Sequence, residues 1–211
     1  MLKVLVTAGP TIEPIDRVRF ISNHSSGSLG YLIARTLRGH GHRVTLISGP
    51  TSLPRPRGVE FVTIRTAREL HAALRRRIGA ADALVMAAAV ADFGPRRMRE
   101  GKIRRKEKFS LKLVGNPDIL KSLKAQKRNK VFIGFCVEPG AVLRGARAKL
   151  REKSLDMIVG FRASGTAMPF GDVRVPCVIV DKDGRAQALA AQRKQTLARI
   201  IVRRLEALCK P

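Results

Sequence analysis

Four groups of residues in this sequence have types and spacings suited to chemistry. The first follows an apolar run at the amino end: Thr7-Ala8-Gly9-Pro10-Thr11, then Ser22-Asn23-His24-Ser25-Ser26-Gly27-Ser28-Leu29-Gly30. Glycines and small hydroxyl residues at a helix start expose backbone N–H groups, and with the helix dipole they make an anion site. Asn23 is the polar side chain best placed there to donate to a carbonyl or phosphate, although an asparagine in such a run also serves as a plain turn former. The second group is Ala87-Ala88-Ala89-Val90-Ala91-Asp92, small residues at the carboxyl end of a strand, where a ligand can approach the backbone. Asp92 suits a ligand hydroxyl, a metal ion or a loop cap. The third is the stretch Asp92–Phe109, with Arg96, Arg97, Arg99, Lys102, Arg104, Arg105, Lys106 and Lys108 against Glu100 and Glu107. Such a run repels itself and is expected to stay mobile until an anion neutralises it, although composition alone favours a solvated surface loop. The fourth is Lys149 and Lys153, four apart and so stacked on one helix face, either around an anion or turned to water.

Absent motifs narrow the chemistry further. The G-x-G-x-x-G dinucleotide fingerprint is missing, and Gly140-Ala141-Val142-Leu143-Arg144-Gly145 continues with Ala146-Arg147 where a phosphate-binding P-loop needs Lys and Ser or Thr. There is no G-x-S-x-G elbow, so a serine hydrolase has no support. No helix-turn-helix, RRM or zinc-finger signature points to specific nucleic-acid recognition. Cys136, Cys177 and Cys209 are widely spaced, which fits buried small hydrophobes for the first two rather than a disulfide framework. His40-Gly41-His42 reads as a turn after a helix, and no metal-ligand set is legible. The charge is the outlier: 42 Lys and Arg against 16 Asp and Glu give +26, so the partners are expected to be anionic. Phosphates, nucleotides, nucleic acid and acidic membrane surfaces all qualify. Aromatics at 4% with no Trp argue against a platform for stacking single-stranded bases.

The elements that must hold these groups follow from periodicity. The 211 residues fit a single domain over residues 1–211, and 45% hydrophobic with 27% charged residues is an ordinary globular balance. No apolar run reaches the roughly 18 residues of a spanning helix, and Met1-Leu2-Lys3-Val4-Leu5-Val6 enters a core strand without a secretory signal, so the chain is expected to be cytoplasmic. Short β-branched runs at Lys3–Thr7, Arg43–Ser48, Val59–Arg65, Ala83–Ala88, Val131–Phe135 and Met157–Val159 alternate with helix-period stripes. The stripes are Leu29, Ile33, Leu37; Leu70, Leu74, Ile78 behind a Thr66–Glu69 capping box; Leu143, Ala146, Leu150; and Leu197, Ile201, Leu205, Leu208. Asn116-Pro117 predicts an N-cap and a short helix from Pro117 to Lys124. Val175–Val180 and Ala186–Leu189 around Asp181-Lys182-Asp183-Gly184 predict a hairpin. The loop Ala8–Ser28 exceeds the usual βα connection of about 2–6 residues. The alternation specifies an α/β class: a doubly wound, mostly parallel Rossmann-like sheet with helices on both faces and a small C-terminal hairpin extension.

Several runs together resemble one family closely. They are Val6-Thr7-Ala8-Gly9-Pro10-Thr11-Ile12-Glu13-Pro14-Ile15-Asp16, Arg19-Phe20-Ile21-Ser22-Asn23-His24-Ser25-Ser26-Gly27, Leu46-Ile47-Ser48-Gly49-Pro50, Ala87 to Asp92, Lys102-Ile103-Arg104-Arg105 and Asn116-Pro117-Asp118-Ile119. In this order, over nearly the whole chain, they are similar to the phosphopantothenoylcysteine synthetases (phosphopantothenate–cysteine ligases). That domain is fused behind a flavin-dependent decarboxylase in many bacteria; with nothing before the first strand, this sequence resembles the stand-alone form.

The resemblance implies coenzyme A biosynthesis, with phosphopantothenate, cysteine and a nucleoside triphosphate, CTP ahead of ATP, as substrates and Mg²⁺ bridging phosphate oxygens. The substrate carboxylate would attack the α-phosphate to give an acyl-cytidylate, which the amine of cysteine then opens. It implies catalytic roles for Asn23 and Lys102, the latter closing over the site. Nucleotide contacts would come from Met86, Ala87, Ala88, Asp92, Lys102, Asn116, Pro117, Asp118, Ile119, Phe135, Lys149 and Lys153. Arg19, Asn23, Ala88 and Ala89 would contact the pantothenate substrate. It also implies a homodimer, with the hairpin region at residues 170–190 as a contact surface. The sequence departs from the family pattern in three places. Lys102-Ile103-Arg104-Arg105 stands for a Lys-x-Lys-Lys run, Gly134-Phe135-Cys136-Val137-Glu138-Pro139 for Gly-Phe-Ala-Ala-Glu-Thr, and Gly160-Phe161-Arg162 for Ala-Asn-Asp. The rival class is a nucleic-acid-binding protein or nucleotide sensor on a degenerate ligase fold.

Overall fold

A computed structural model describes residues 1–105, 108–163, 169–171 and 173–210. Lys106 and Glu107 of the basic stretch lie outside the described residues. The chain begins with β1 (Lys3–Ala8), β2 (Ile12–Pro14), β3 (Phe20–Ser22), α1 (Ser28–Gly39), β4 (Arg43–Ser48), β5 (Glu60–Thr63) and α2 (Ala67–Arg77). It continues with β6 (Ala83–Met86), β7 (Phe93–Pro95), β8 (Leu113–Gly115), α3 (Ile119–Ser122), α4 (Lys124–Lys127) and β9 (Val131–Glu138). It closes with α5 (Val142–Glu152), β10 (Met157–Arg162), β11 (Val175–Asp181), β12 (Ala186–Gln192) and α6 (Lys194–Leu208).

The eight-stranded sheet runs β12-β11-β10-β9-β6-β1-β4-β5. From β5 to β10 every pairing is parallel, and ranked along the chain those six strands stand in the order 3-2-1-4-5-6 of the doubly wound fold. β11 and β12 add the antiparallel hairpin beyond β10. Val4 to Ala8 are buried without a break because helices cover both faces of a parallel sheet. α1 and α6 pack on one face through Ile33, Leu37, Leu197, Ile201 and Leu205. α2, α3 and α5 pack on the other through Leu70, Leu74, Leu120 and Leu150. Cys136 and Cys177 are buried in these cores.

Local chemistry explains where elements begin and end. Thr66 Oγ1 accepts from Glu69 N at 3.1 Å, while the Glu69 carboxylate reaches Arg65 N at 2.6 Å, one residue before the reciprocal bond of a standard capping box. A second acid serves the same helix end: Glu13 Oε1 accepts from Ala67 N at 2.9 Å. The predicted cap at Asn116 is corrected. Asp118 caps α3 by accepting from Lys121 N, and the helix turns at Ile119 because Asn116 spends its side chain on Ala91 O. The run expected to reach Lys124 breaks into α3 and α4 around Leu123, and Leu143 is an exposed residue rather than part of the α5 stripe. The long loop after β1 contains the β2–β3 hairpin, and the basic stretch begins in β7, which pairs with β8.

Two contacts fix α1. A Cβ on Gly30 would lie 2.6 Å from Ala8 Cβ and 2.8 Å from Thr7 O, so the helix sits on the end of β1 with no space for a side chain. At the other end His42 accepts the Leu2 amide at Nδ1, and His40 and His42 both meet Glu206 Oε1 of α6, at 2.8 and 2.9 Å. Burial opposes ionisation of Glu206, but the bonds and charges of the two histidines outweigh it and hold the carboxyl below its ordinary value.

Gly30→Ala is expected to destabilise by about 1–3 kcal/mol through overpacking, visible as a lower Tm, whereas Gly39→Ala, which meets open space, does not. A carboxyl whose pKa is lowered on folding adds stability above its unfolded pKa and loses it as pH falls through the folded value. Glu206→Gln is therefore expected to lower Tm at neutral pH, with the gap to the parent protein closing as pH drops below about 4 in a thermal-melt series.

Candidate functional site

The connections leaving β1 and β6 carry the chain to α1 on one face and α3 on the other, so neither covers the carboxyl ends of these adjacent strands. Ligands bind at such a switch point, and a cleft of about 630 Å³ opens there. Its floor is the backbone running from Ala87 to Asp92, beyond the end of β6. Thr7 Oγ1 accepts from Ala88 N at 3.0 Å and Thr11 Oγ1 from Ala91 N at 2.9 Å, both threonines fully buried. Ala89 bridges to Pro10, with Ala89 N on Gly9 O and Thr11 N on Ala89 O. Two asparagines hold the floor from its sides: Asn23 Nδ2 donates to Val90 O at 2.9 Å and Asn116 Nδ2 to Ala91 O at 2.8 Å.

The walls differ in chemistry. On one side Phe135 of β9 and Phe161 of β10 stack with rings 6.5 Å apart and nearly parallel, at 7°. Behind them Lys149 and Lys153 enter from α5, Lys149 bonded to Glu138 at 2.7 Å and Lys153 to Asp118 at 3.3 Å. Burial opposes the Lys149 charge, but Glu138 outweighs it and raises the pKa, so this ammonium stays protonated throughout the neutral range. Cys136 faces the cleft as an apolar group, its thiol pushed up to about 11 by burial.

The opposite end gathers amides. α1 and α6 both begin without a side-chain cap and without an acid in the first turn, leaving their dipoles uncompensated. Lys194, 7% exposed, stands between them and donates to Gly171 O at 2.6 Å and Ser28 Oγ at 3.3 Å. Among the described residues no three His, Cys, Asp or Glu side chains gather as a metal set.

Of the residues singled out in the sequence, Asn23, Met86, Ala87, Ala88, Ala89, Asp92, Asn116, Pro117, Asp118, Ile119, Phe135, Lys149 and Lys153 all line this one cleft. Arg19 and Lys102 do not. They lie on an arm formed by β2–β3 and β7–β8, where buried Asp16 collects Val18 N, Arg19 N, Nε and Nη2 of the Arg19 guanidinium and Ile103 N within 3.1 Å. Lys194 lies in no run that the sequence singles out; Phe161 stands in a departure from the family pattern, and Thr7 and Thr11 stand in the first hydroxyl-bearing run, yet nothing there marks the two hydroxyls as supports of the floor.

Comparison with known proteins agrees with this architecture. Residues 1–208 match the family described as DNA/pantothenate metabolism flavoprotein C-terminal domain. The chain is 36% identical over 209 residues to the coenzyme A biosynthesis bifunctional protein CoaBC of Bacillus subtilis, covering 98% of this chain and 52% of that protein. The chain thus spans about half the length of the curated relatives it matches. A crystal structure of the C-terminal domain of a CoaBC protein superposes with TM-score 0.84 at 34% identity, covering 98% of this chain and 95% of the other. A DNA/pantothenate metabolism flavoprotein from Streptococcus pneumoniae, 24% identical, shares the fold with TM-score 0.86 over 98% of this chain and 99% of that one.

The Asp16 carboxyl is held well below the ordinary carboxylate range, first by the Ile103 amide, with burial opposing and the Val18 and Arg19 bonds adding to the effect. Its hold on the arm is therefore present above pH of about 4 and persists into strong acid before protonation releases it. Asp16→Asn is expected to detach Ile103 and Arg19 and to speed trypsin cleavage between Arg96 and Arg105 at neutral pH several-fold, with little change in Tm.

Proposed function

The chain belongs to the DNA/pantothenate metabolism flavoprotein C-terminal domain family, and from that premise we propose that it joins phosphopantothenate to cysteine through an acyl-nucleotide, with CTP as co-substrate. One observation carries this reading: Asn23, the small-residue floor, Phe135, Lys149 and Lys153 converge on a single cleft. A carboxylate is a poor acyl donor until a mixed anhydride with phosphate makes it one. The chain's task is to bring two polyanions and a carboxylate into line and to balance their charge.

In this reading the substrate's phosphate sits against the α1 start near Lys194, and its carboxylate reaches the floor near Ala88 and Ala89. The nucleotide lies toward Phe135 with its triphosphate on Lys149 and Lys153. Attack of the carboxylate oxygen on the α-phosphorus expels pyrophosphate. The cysteine amine then adds to the acyl carbon and the nucleoside monophosphate leaves. Asn23 has one amide hydrogen on Val90 O and a second free to donate to the acyl oxygen. Displacing Glu138 and Asp118 from the two lysines is part of the binding event. Mg²⁺ would enter with the nucleotide and offset the charge of its phosphates, and Asp92, which lines the cleft, is the carboxylate that would help to hold it.

Arg19 and Lys102 enter this scheme as part of a homodimer, with the arm of one copy over the cleft of the other. Supporting that reading, Val18, Phe20, Phe93, Met98, Phe109 and Leu113 are exposed on the arm at 41–59%. The hairpin region at residues 170–190, by contrast, shows one large exposed apolar residue among its described residues, Val173.

The test is pyrophosphate release that requires phosphopantothenate, with a new thiol product only when cysteine is added. Lys102→Ala is expected to slow turnover more than tenfold with an unchanged Tm; the ceiling for one charge-stabilising donor is about 4 kcal/mol. A melting screen with Mg²⁺ and CTP, ATP, UTP or GTP is expected to give its largest upward shift with CTP. Nucleotide binding without pyrophosphate release would reassign the chain as a sensor.

A further inference from the structure

The surplus of cations far exceeds what the cleft uses. Arg19, Arg77, Lys121, Lys127, Lys149 and Lys153 pair with carboxylates, while Glu13, Glu69 and Asp181 serve a helix start and a turn. α5 shows how the remainder is sorted. At about 100° per residue, Lys149 and Lys153 point to the cleft, while Arg144, Arg147 and Arg151 share the opposite, outer face. There they line one shallow groove with Ala141, Val142 and Leu143, all three arginines exposed.

We propose that this outer face of α5, extended by Lys182 and Arg185 of the β11–β12 turn, docks the sugar–phosphate backbone of a nucleic acid without reading its sequence. Arg147 Nη2 donates to Gly184 O at 3.0 Å and so joins helix and turn into one surface. Nearby carboxylates do not neutralise it. Glu138 faces Lys149, Glu152 pairs with Lys121, and Asp181 accepts from Asp183 N and Arg185 N, leaving Asp183 as the one acid beside the patch among the described residues. Arg144 to Arg151 spans about 10 Å, the rise of three phosphates along one strand at about 3.4 Å each. Guanidinium forks suit phosphate oxygens. A membrane surface fits less well, because interfacial helices insert apolar side chains and this face offers Leu143 as its single exposed large one. The patch lies outside the cleft, so the proposal stands independently of the ligase reading.

Fluorescence anisotropy with a short labelled DNA duplex of mixed sequence, titrated from about 50 to 200 mM salt, tests it. The parent protein is expected to bind different sequences equally. Arg144→Gln/Arg147→Gln/Arg151→Gln is expected to weaken binding more than tenfold and to flatten the log K–log salt slope by about 2.7, at 0.9 per lost contact. A charge-matched triple on the opposite sheet face, Arg35→Gln/Arg199→Gln/Arg203→Gln, is expected to cost less than threefold. The Arg→Lys triple at 144, 147 and 151 is expected to stay within threefold of the parent, which separates lost charge from lost structure. Equal losses from the two glutamine triples would overturn the assignment in favour of diffuse attraction. So would no binding at low salt, or binding confined to vesicles of anionic lipid.

Discussion

The floor of the cleft is a run of backbone that belongs to no strand, and its amide groups are met by the hydroxyls of Thr7 and Thr11. Everything the site does depends on that arrangement. Alanine side chains leave the run without bulk, so a ligand can reach the main chain, but they also leave it without side chains to hold it in place. The threonines supply the hold from beneath, out of solvent, where an unmet amide would cost about 1–3 kcal/mol. Asn23 and Asn116 supply it from the two sides by capturing the carbonyls of Val90 and Ala91. One edge of the floor is thereby tied to the loop after β1 and the other to the segment before α3. Those are also the segments that bring Ser28 and Asp118 to the cleft.

Much of the scaffold was legible because its signals are local. The six parallel strands follow from apolar runs bounded by helix stripes, and the 3-2-1-4-5-6 order places the cleft where small residues follow β6. The hairpin was readable from Asp181-Lys182-Asp183-Gly184, whose Gly184 takes φ of 80° while Asp181 closes the turn. What escaped depends on partners far along the chain. Asn116 looked like a helix cap because Asn-Pro at a helix start usually is one, yet Ala91 O, 25 residues earlier, competes for its amide and leaves the capping to Asp118. The basic stretch looked unsupported, but Ile103 N is anchored on Asp16, 87 residues away, and β7 pairs with β8. Lys194 reads as an ordinary cation at a helix start. Only the packing of α6 against α1 brings it beside Ser28.

The arm shows why a matching motif does not by itself locate a residue. Arg19 is engaged by the Asp16 carboxylate and by Ile103 O, so its guanidinium is oriented along the arm rather than toward the floor of its own chain. Lys102 sits one residue from that junction. Both are tied to the segment between β2 and β3 through Asp16, beside the exposed side chains of Val18 and Phe20. A surface that positions cations so firmly, while leaving large apolar groups in water, is more costly to maintain alone than covered. Both features fall into place if the arm's function is exercised on another copy.

Charge is distributed on the same logic. The few carboxylates are spent where geometry needs them: Glu13 and Glu69 at the start of α2, Asp16 at the arm junction, Asp156 on Phe132 N and Lys127, Glu206 between two histidines. Two more, Glu138 and Asp118, hold Lys149 and Lys153 in the cleft. These pairings keep the two ammonium groups aimed into the cavity, where like charges four residues apart would otherwise repel by a few tenths of a kcal/mol. An incoming polyphosphate need not organise the lysines. It replaces two carboxylates with several phosphate oxygens at positions already set. The exchange favours a ligand carrying more negative charge than the two carboxylates it displaces, so on charge alone a triphosphate is a better occupant than a monophosphate.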